Sequence, residues 1–82
     1  MDLQDFRNQI DRIDNDLLRL FNERMNIVRQ IALYKKKHGL PVLNAEREKE
    51  ILTAIDCPYA QKLYRVLFDL SREYQGSILE HE

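Results

Sequence analysis

Hydrophobic residues recur every seven positions over the first 34 residues of the chain. One row contains Leu3, Ile10, Leu17 and Ile31, and a second row contains Phe6, Ile13, Leu20, Ile27 and Tyr34. Rows with this spacing are typical of a helix that packs along another helix. The pattern therefore predicts one long helix that begins at Leu3 and ends at about Lys37.

Glycine and proline interrupt this pattern and divide the chain into three helical segments. Gly39 and Pro41 follow the first helix, and Pro58 opens the third. Between these breaks, Asn44 is the expected N-cap of a second helix that runs to about Ile55. The sequence contains no strand pattern. We therefore predict an all-α fold with one long helix and two shorter ones.

The long helix is too long for the rest of the chain to cover. At about 1.5 Å per residue it spans roughly 50 Å, which exceeds the diameter of a globule of this size. The third helix is expected to direct four apolar side chains toward a core, namely Leu63, Val66, Leu67 and Leu70. Much of the first helix still lacks a partner. We therefore expect an intertwined helical homodimer with a two-fold axis.

Composition excludes several classes of function. The formal net charge is -1, which gives the chain no overall attraction for nucleic acid or an anionic membrane. No apolar run approaches the ~18 residues of a membrane span, and the opening residues lack a leader pattern, so we expect a cytoplasmic protein. Cys57 is single, and His38 and His81 have no metal-ligand spacing, so we expect neither an internal disulfide nor a metal site. We expect one domain, residues 1–82, with no room for a regulatory domain.

Two cations lie on one side of the long helix. Arg24 continues the first apolar row, and Lys35 follows eleven residues later, about three turns and 16 Å further along the same face. Ile31 lies between them, so the pair could bind the two ends of a small dianion. Alternatively, Arg24 forms an interhelical ion pair that fixes the register. Arg7 is roughly 25 Å from Arg24 along the helix, so it could join this site only from a second chain.

Polar residues also share faces on the two shorter helices. Asn44, Arg47 and Glu48 are spaced i, i+3 and i+4 on the second helix, and Ser71 and Gln75 are four residues apart on the third. Four of the candidate residues are positively charged, and Glu48 is the one with a fixed negative charge. The four cations are Arg7, Arg24, Lys35 and Arg47. That excess suits a ligand with two carboxylates.

Four sequence blocks in this order resemble the helical family of chorismate mutases. The blocks are FRNQIDRID, LFNERMNIVRQIALYK, HGLPVLNAEREKEIL and YRVLFDLSREYQ, and together they extend over nearly the whole chain. The resemblance implies a unimolecular [3,3] rearrangement of chorismate to prephenate, without a cofactor, on the way to phenylalanine and tyrosine. It also implies a homodimer.

The resemblance assigns roles by position. Arg7 from one chain, and Arg24 and Arg47 from the other, would bind the carboxylates of the substrate. Lys35 and Gln75 would approach the ether oxygen of the bond that breaks. These roles make Lys35, Gln75 and Arg24 the expected catalytic residues.

Three further positions complete the implied site. Glu48 would accept a hydrogen bond from the ring hydroxyl, and Ser71 would support a carboxylate. Asn44 departs from the family pattern, in which some members have an aspartate at this position. An amide can still accept from a hydroxyl and cap the helix, so we expect altered affinity or pH behaviour more than lost activity.

Two other functions fit parts of the pattern. An isochorismate pyruvate lyase resembles these mutases and shares much of the basic site, but Glu48 favours the mutase because an apolar residue is expected there in the lyase. A helical dimerisation or regulatory module would explain the apolar rows, with Arg24 as a register device. It would leave the polar faces of the second and third helices unexplained.

Overall fold

A computed structural model describes residues 1–81 as three α-helices, with no strand in that range. Helix α1 is Leu3–His38, α2 is Ala45–Thr53 and α3 is Pro58–His81. The predicted all-α fold of one long and two shorter helices is confirmed. The predicted bounds differ from these only in the last turns, because α1 ends one residue later and α2 two residues earlier than expected.

Local sequence defines both ends of α1, through a side-chain cap at the start and a glycine at the end. Asp2 is the N-cap, and its carboxylate accepts from the backbone N–H of Asp5 at 2.9 Å, while the Asp5 carboxylate accepts from the Asp2 N–H at 3.1 Å. This reciprocal pair satisfies donors that the first helical turn leaves unpaired. At the other end Gly39 has a φ of 65°, and the N–H of Leu40 donates to the carbonyl of Lys35. That left-handed conformation terminates the helix.

The two glycines of the chain should respond oppositely to replacement by alanine. Gly39 has a positive φ, so Gly39→Ala should lower the free energy of unfolding by about 1 kcal/mol. Gly76 lies within α3, where an added methyl group would meet open space, so Gly76→Ala should raise it by ~0.5–1 kcal/mol. Urea unfolding followed by circular dichroism measures both. Equal effects of the two substitutions would contradict the role assigned to Gly39.

The main packing contact joins the C-terminal half of α1 to α3. Its buried apolar residues are Val28 and Ala32 from α1 and Phe68 and Ile78 from α3. The chain is elongated and flat, with extents of 54 × 28 × 13 Å.

Among residues 1–81, no helix packs over the N-terminal half of α1. Every residue up to Leu20 is exposed, including the members of both apolar rows in this stretch. Their exposed fractions lie between 49% for Leu20 and 61% for Leu3. The prediction that the shorter helices cannot cover α1 is confirmed, and the apolar rows form a continuous uncovered face. No helix within residues 1–81 combines the length and the apolarity that crossing a bilayer requires.

Within residues 1–81, three of the four α3 residues predicted to face a core are uncovered. Leu63, Val66 and Leu70 are exposed, and Leu67 is half-buried. The buried residues of α3 are instead Phe68, Ser71, Gln75 and Ile78. At about 100° per residue, this second stripe lies roughly a third of a turn from the leucine and valine stripe. The helix therefore turns a partly polar face toward α1 and leaves its most apolar stripe uncovered.

Helix α2 is attached to the rest of the chain by few contacts. It packs against α3, and none of its nine residues is buried. Asn44 caps its start by accepting from the backbone N–H of Arg47 at 3.1 Å, which confirms the predicted N-cap. At its end the Gln61 amide donates to the carbonyls of Leu52 at 3.3 Å and Ile55 at 2.7 Å. The two hydrogen bonds from Gln61 therefore attach the C-terminal end of α2 to α3.

Candidate active site

The C-terminal half of α1, helix α2 and the middle of α3 surround a cavity of about 470 Å³. This volume is typical of pockets that bind small molecules. Its apolar lining consists of Ile27, Val28, Ile31, Val42, Ile51 and Phe68. Its polar lining consists of Arg24, Lys35, Asn44, Arg47, Glu48, Ser71, Arg72 and Gln75. All the site residues expected from the sequence therefore lie around one cavity, except Arg7.

Arg24 is half-buried between α1 and α3. Its Nη1 donates to the Ser71 hydroxyl at 2.5 Å, and that hydroxyl donates to the carbonyl of Leu67 at 2.7 Å. Within residues 1–81 no carboxylate pairs with Arg24, which argues against an ion pair inside the chain. A guanidinium has five N–H donors and keeps its charge, so Arg24 retains donors for an anion in the cavity.

Lys35 is held beside the connection between α1 and α2. Its Nζ donates to the backbone carbonyl of Val42 at 2.7 Å, and the side chain is half-buried. An ammonium has three donors, so two remain for a ligand. Ile31 lines the cavity between Arg24 and Lys35, as the spacing along α1 predicts. The site therefore has an apolar surface on α1 with a cation on each side of it.

Arg47 lies at the outer edge of the cavity. Its side chain is 66% exposed and forms an ion pair with Glu50 at 3.3 Å on the same helix. Exposed pairs of this kind contribute little to stability, so a ligand could displace Glu50 at small cost. Asn44, beside it, uses its side-chain oxygen to cap α2. The Asn44 amide nitrogen remains available as a donor toward the cavity.

Gln75 is the most unusual polar group of the site. Both Gln75 and Ser71 are 7% exposed, although their sequence context alone is that of ordinary surface residues. The Oε1 of Gln75 is fully buried and has no hydrogen-bond partner among residues 1–81. A buried acceptor without a partner costs ~1–3 kcal/mol, and such groups in native proteins commonly have a functional explanation. This amide is therefore a strong candidate for ligand contact.

Arg72 is a cavity residue that the sequence interpretation missed. It donates to the carboxylates of Glu48 on α2 and Asp69 on α3. The hydrogen bond to Glu48 is the main cause that raises the pKa of the Arg72 guanidinium above its ordinary value. Its position in the sequence could have indicated it, because Arg72 adjoins Ser71 and precedes Gln75 by three residues. Glu48 is thus already paired with a cation of its own chain.

Arg7 lies on the exposed N-terminal part of α1, outside the cavity. The expectation that it cannot enter the site of its own chain is confirmed. The cavity itself contains four cations, of which one is paired with Glu48 and another with Glu50 outside the lining. Arg24 and Lys35 therefore give it a net positive charge. Across residues 1–81 no cluster of three or more His, Cys, Asp or Glu residues could hold a metal ion.

Comparison with known proteins assigns this arrangement to a family. Residues 6–76 match the family described as chorismate mutase type II. A bifunctional chorismate mutase/prephenate dehydratase of Aquifex aeolicus is 44% identical over 81 residues, 99% of this chain and 19% of that protein. The T-protein of Haemophilus influenzae is 42% identical over 52 residues, 63% of this chain and 14% of that protein.

A third relative is similar in size to this chain. The chorismate mutase of Methanocaldococcus jannaschii is 31% identical over 87 residues, which cover 95% of this chain and 88% of that protein. The first two relatives are much longer, and the chain spans less than a fifth of each. The family match extends over most of α1, all of α2 and most of α3, including the cavity. The chain therefore belongs to the chorismate mutase type II family.

Proposed function

We propose that this chain, as a single domain of residues 1–82, is a chorismate mutase that converts chorismate to prephenate. The observation that carries the proposal is the cavity itself, in which Arg24 and Lys35 lie on either side of an apolar surface and the buried Gln75 side chain lines the wall formed by α3. Chorismate is a dianion with a hydrocarbon ring, so it matches this distribution of charge and apolar surface. The names of the relatives from Aquifex aeolicus and Methanocaldococcus jannaschii support the same activity.

The reaction requires little chemistry from the protein. The ether C–O bond of the enolpyruvyl group breaks while a new C–C bond forms, and six electrons move around one ring. No proton is transferred and no covalent intermediate forms, so neither a general base nor a nucleophile is needed. The protein has two tasks, which are to hold the side chain folded over the ring and to stabilise negative charge on the ether oxygen.

The cations account for the first task. Arg24 and Arg47 bind the two carboxylates, which fixes the enolpyruvyl side chain in the reactive shape. The hydrogen bond from Arg24 to Ser71 orients the guanidinium, and Ser71 thereby supports the carboxylate that Arg24 binds. Arg47 exchanges its exposed partner Glu50 for the substrate. Asn44 adds an amide beside it on the same helix face.

Lys35 and Gln75 account for the second task. Lys35 is oriented by the Val42 carbonyl and donates a hydrogen bond to the ether oxygen as negative charge develops there. The amide N–H group of Gln75, on Nε2, donates to the same oxygen from α3. Donors held in place before the reaction need no reorganisation in the transition state, so they lower the barrier. Glu48 accepts from the ring hydroxyl and thereby orients the ring.

The complete site is formed by two chains of an intertwined homodimer. The uncovered apolar face of α1 supports this assembly, because it extends over the first 20 residues, all of which are exposed. In the dimer, Arg7 of the partner lies beside Arg24 and binds the same carboxylate. A cytoplasmic location stays a prediction from the sequence.

Product analysis with a Gln75→Leu variant tests the assignment. The parent should consume chorismate, measured by its absorbance, and yield prephenate. Gln75→Leu should lower kcat on the order of 10²-fold because a donor to the ether oxygen is lost. The free energy of unfolding should change by less than about 1 kcal/mol or rise, because an unpartnered buried acceptor is removed.

Gln30→Leu, at an exposed position of α1, is the matched control and should keep the parental kcat. Absence of chorismate turnover by the folded parent would overturn the proposal. Release of salicylate and pyruvate from isochorismate would favour the lyase instead. A Gln75→Leu variant with parental kcat would remove Gln75 from the catalytic residues.

A further inference from the structure

Arg72 lines the cavity but has no role in the reaction described above. Its guanidinium contacts Glu48 on α2 and Asp69 on α3, so it links two helices. The ion pairs of Arg19 and Arg47, in contrast, stay within one helix. The side chains of Arg72 and Glu48 are 30% and 24% exposed, whereas Asp69 is 70% exposed. The contact with Glu48 is therefore the more shielded of the two and the stronger.

The position of Glu48 depends on this contact because α2 is weakly attached. The helix buries none of its residues, and its end is held by Gln61. Glu48 is also half-buried at the contact between α2 and α3. Without Arg72, its side chain would have several rotamers available. The ion pair selects one of them and leaves the second carboxylate oxygen, Oε1, to accept from a ligand.

Charge gives Arg72 a second effect on the site. Glu48 is the acidic residue of the cavity lining, and a bare carboxylate there would repel a dianionic ligand. The guanidinium of Arg72 offsets that repulsion while it leaves an acceptor for a hydroxyl. A neutral side chain at position 72 would therefore weaken ligand binding in two ways, through loss of orientation and through repulsion.

We propose that Arg72 is a positioning residue that fixes and neutralises Glu48, so that the site accepts a dianion carrying a hydroxyl group. The inference rests on the proposed function for its substrate. Arg72 acts through Glu48 and does not contact the reacting bond. Its removal should therefore affect substrate binding far more than the chemical step.

A double-mutant cycle with Arg72→Met and Glu48→Gln tests this role. Arg72→Met should raise KM for chorismate about tenfold and change kcat less than about threefold. In the Glu48→Gln background, Arg72→Met should change KM by less than about threefold, because its partner charge is already absent. Arg72→Lys, which keeps a cation, should recover most of the affinity. A general loss of packing would instead lower the free energy of unfolding in both backgrounds without this coupling.

Arg65→Met is the matched control, since it removes an exposed arginine from the same helix, and its KM should equal that of the parent. A tenfold rise in KM that persists in the Glu48→Gln background would overturn the inference by indicating direct contact between Arg72 and substrate. An unchanged KM for Arg72→Met would overturn it as well. If circular dichroism shows that Arg72→Met is unfolded, Arg72→Gln completes the cycle. Lack of turnover by the parent would count against the proposed function instead.

Discussion

Replacing Lys35 with alanine should lower kcat for chorismate by on the order of 10²–10³-fold, which is the usual effect of losing one donor to a developing negative charge. Lys35 is half-buried, and the Val42 carbonyl orients its ammonium. Such a donor stabilises the transition state more than the bound substrate, because the ether oxygen gains charge as its bond stretches. KM should therefore change much less than kcat. Loss of chorismate absorbance under saturating substrate measures the effect.

Lys36→Ala is the control for this prediction. Lys36 is exposed and adjoins Lys35 at the same helix end, so its removal changes the net charge equally without opening the site. Its kcat should equal that of the parent. Because Lys35 also contacts Val42, the unfolding of both variants in urea should be compared. A folded Lys35→Ala protein with the parental rate would remove Lys35 from the catalytic residues.

Two inactive variants should restore each other's activity when they share a dimer. In the proposed assembly, each site takes Arg7 from one chain and Lys35 from the other. A heterodimer of Arg7→Ala and Lys35→Ala chains has one site with both substitutions and one intact site. Random pairing at equal amounts makes half of the dimers mixed, so about one quarter of the parental activity should return.

The experiment requires that the chains exchange, so the two variants are unfolded together in urea and refolded. Each variant refolded alone is the control and should stay at its own low rate. A mixture that shows only the average of the two separate rates would contradict a shared site. Sedimentation of the parent at the assay concentration should show a dimer, and a fully active monomer would contradict the same proposal.

Sequence pattern predicts α1 well because its determinants are local. The seven-residue rows lie within one continuous segment of the chain, and the end of the helix depends on Gly39 alone. The packing face of α3 is different, since it depends on how α1 approaches. Composition favours the stripe that contains Leu63 and Leu70, whereas the observed contact uses the stripe that contains Ser71 and Gln75. The stripe of α3 that contacts α1 depends on packing between the helices, which no local sequence pattern encodes.

The residues of the site also divide into those related by spacing along one helix and those brought together by packing between helices. Arg24 and Lys35 belong to one rigid helix, so their spacing fixes their relation before any tertiary structure is known. The pair of Glu48 and Arg72 joins two helices, and only the packing of α2 on α3 brings them together. The burial of Gln75 likewise depends on that packing and on the approach of α1. Spacing along α3 paired Gln75 with Ser71, and the family resemblance gave Gln75 a role, but neither pointed to Arg72.

Helix α2 and its cap contain three of the proposed binding residues, and the helix buries none of its own. Substitutions on it can therefore alter which functional groups meet the ligand without opening voids in the protein interior. Asn44 illustrates this freedom, because its side chain both caps the helix and lines the cavity. Substrate preference in this domain can thus diverge through a short polar segment, while the two longer helices keep the scaffold unchanged.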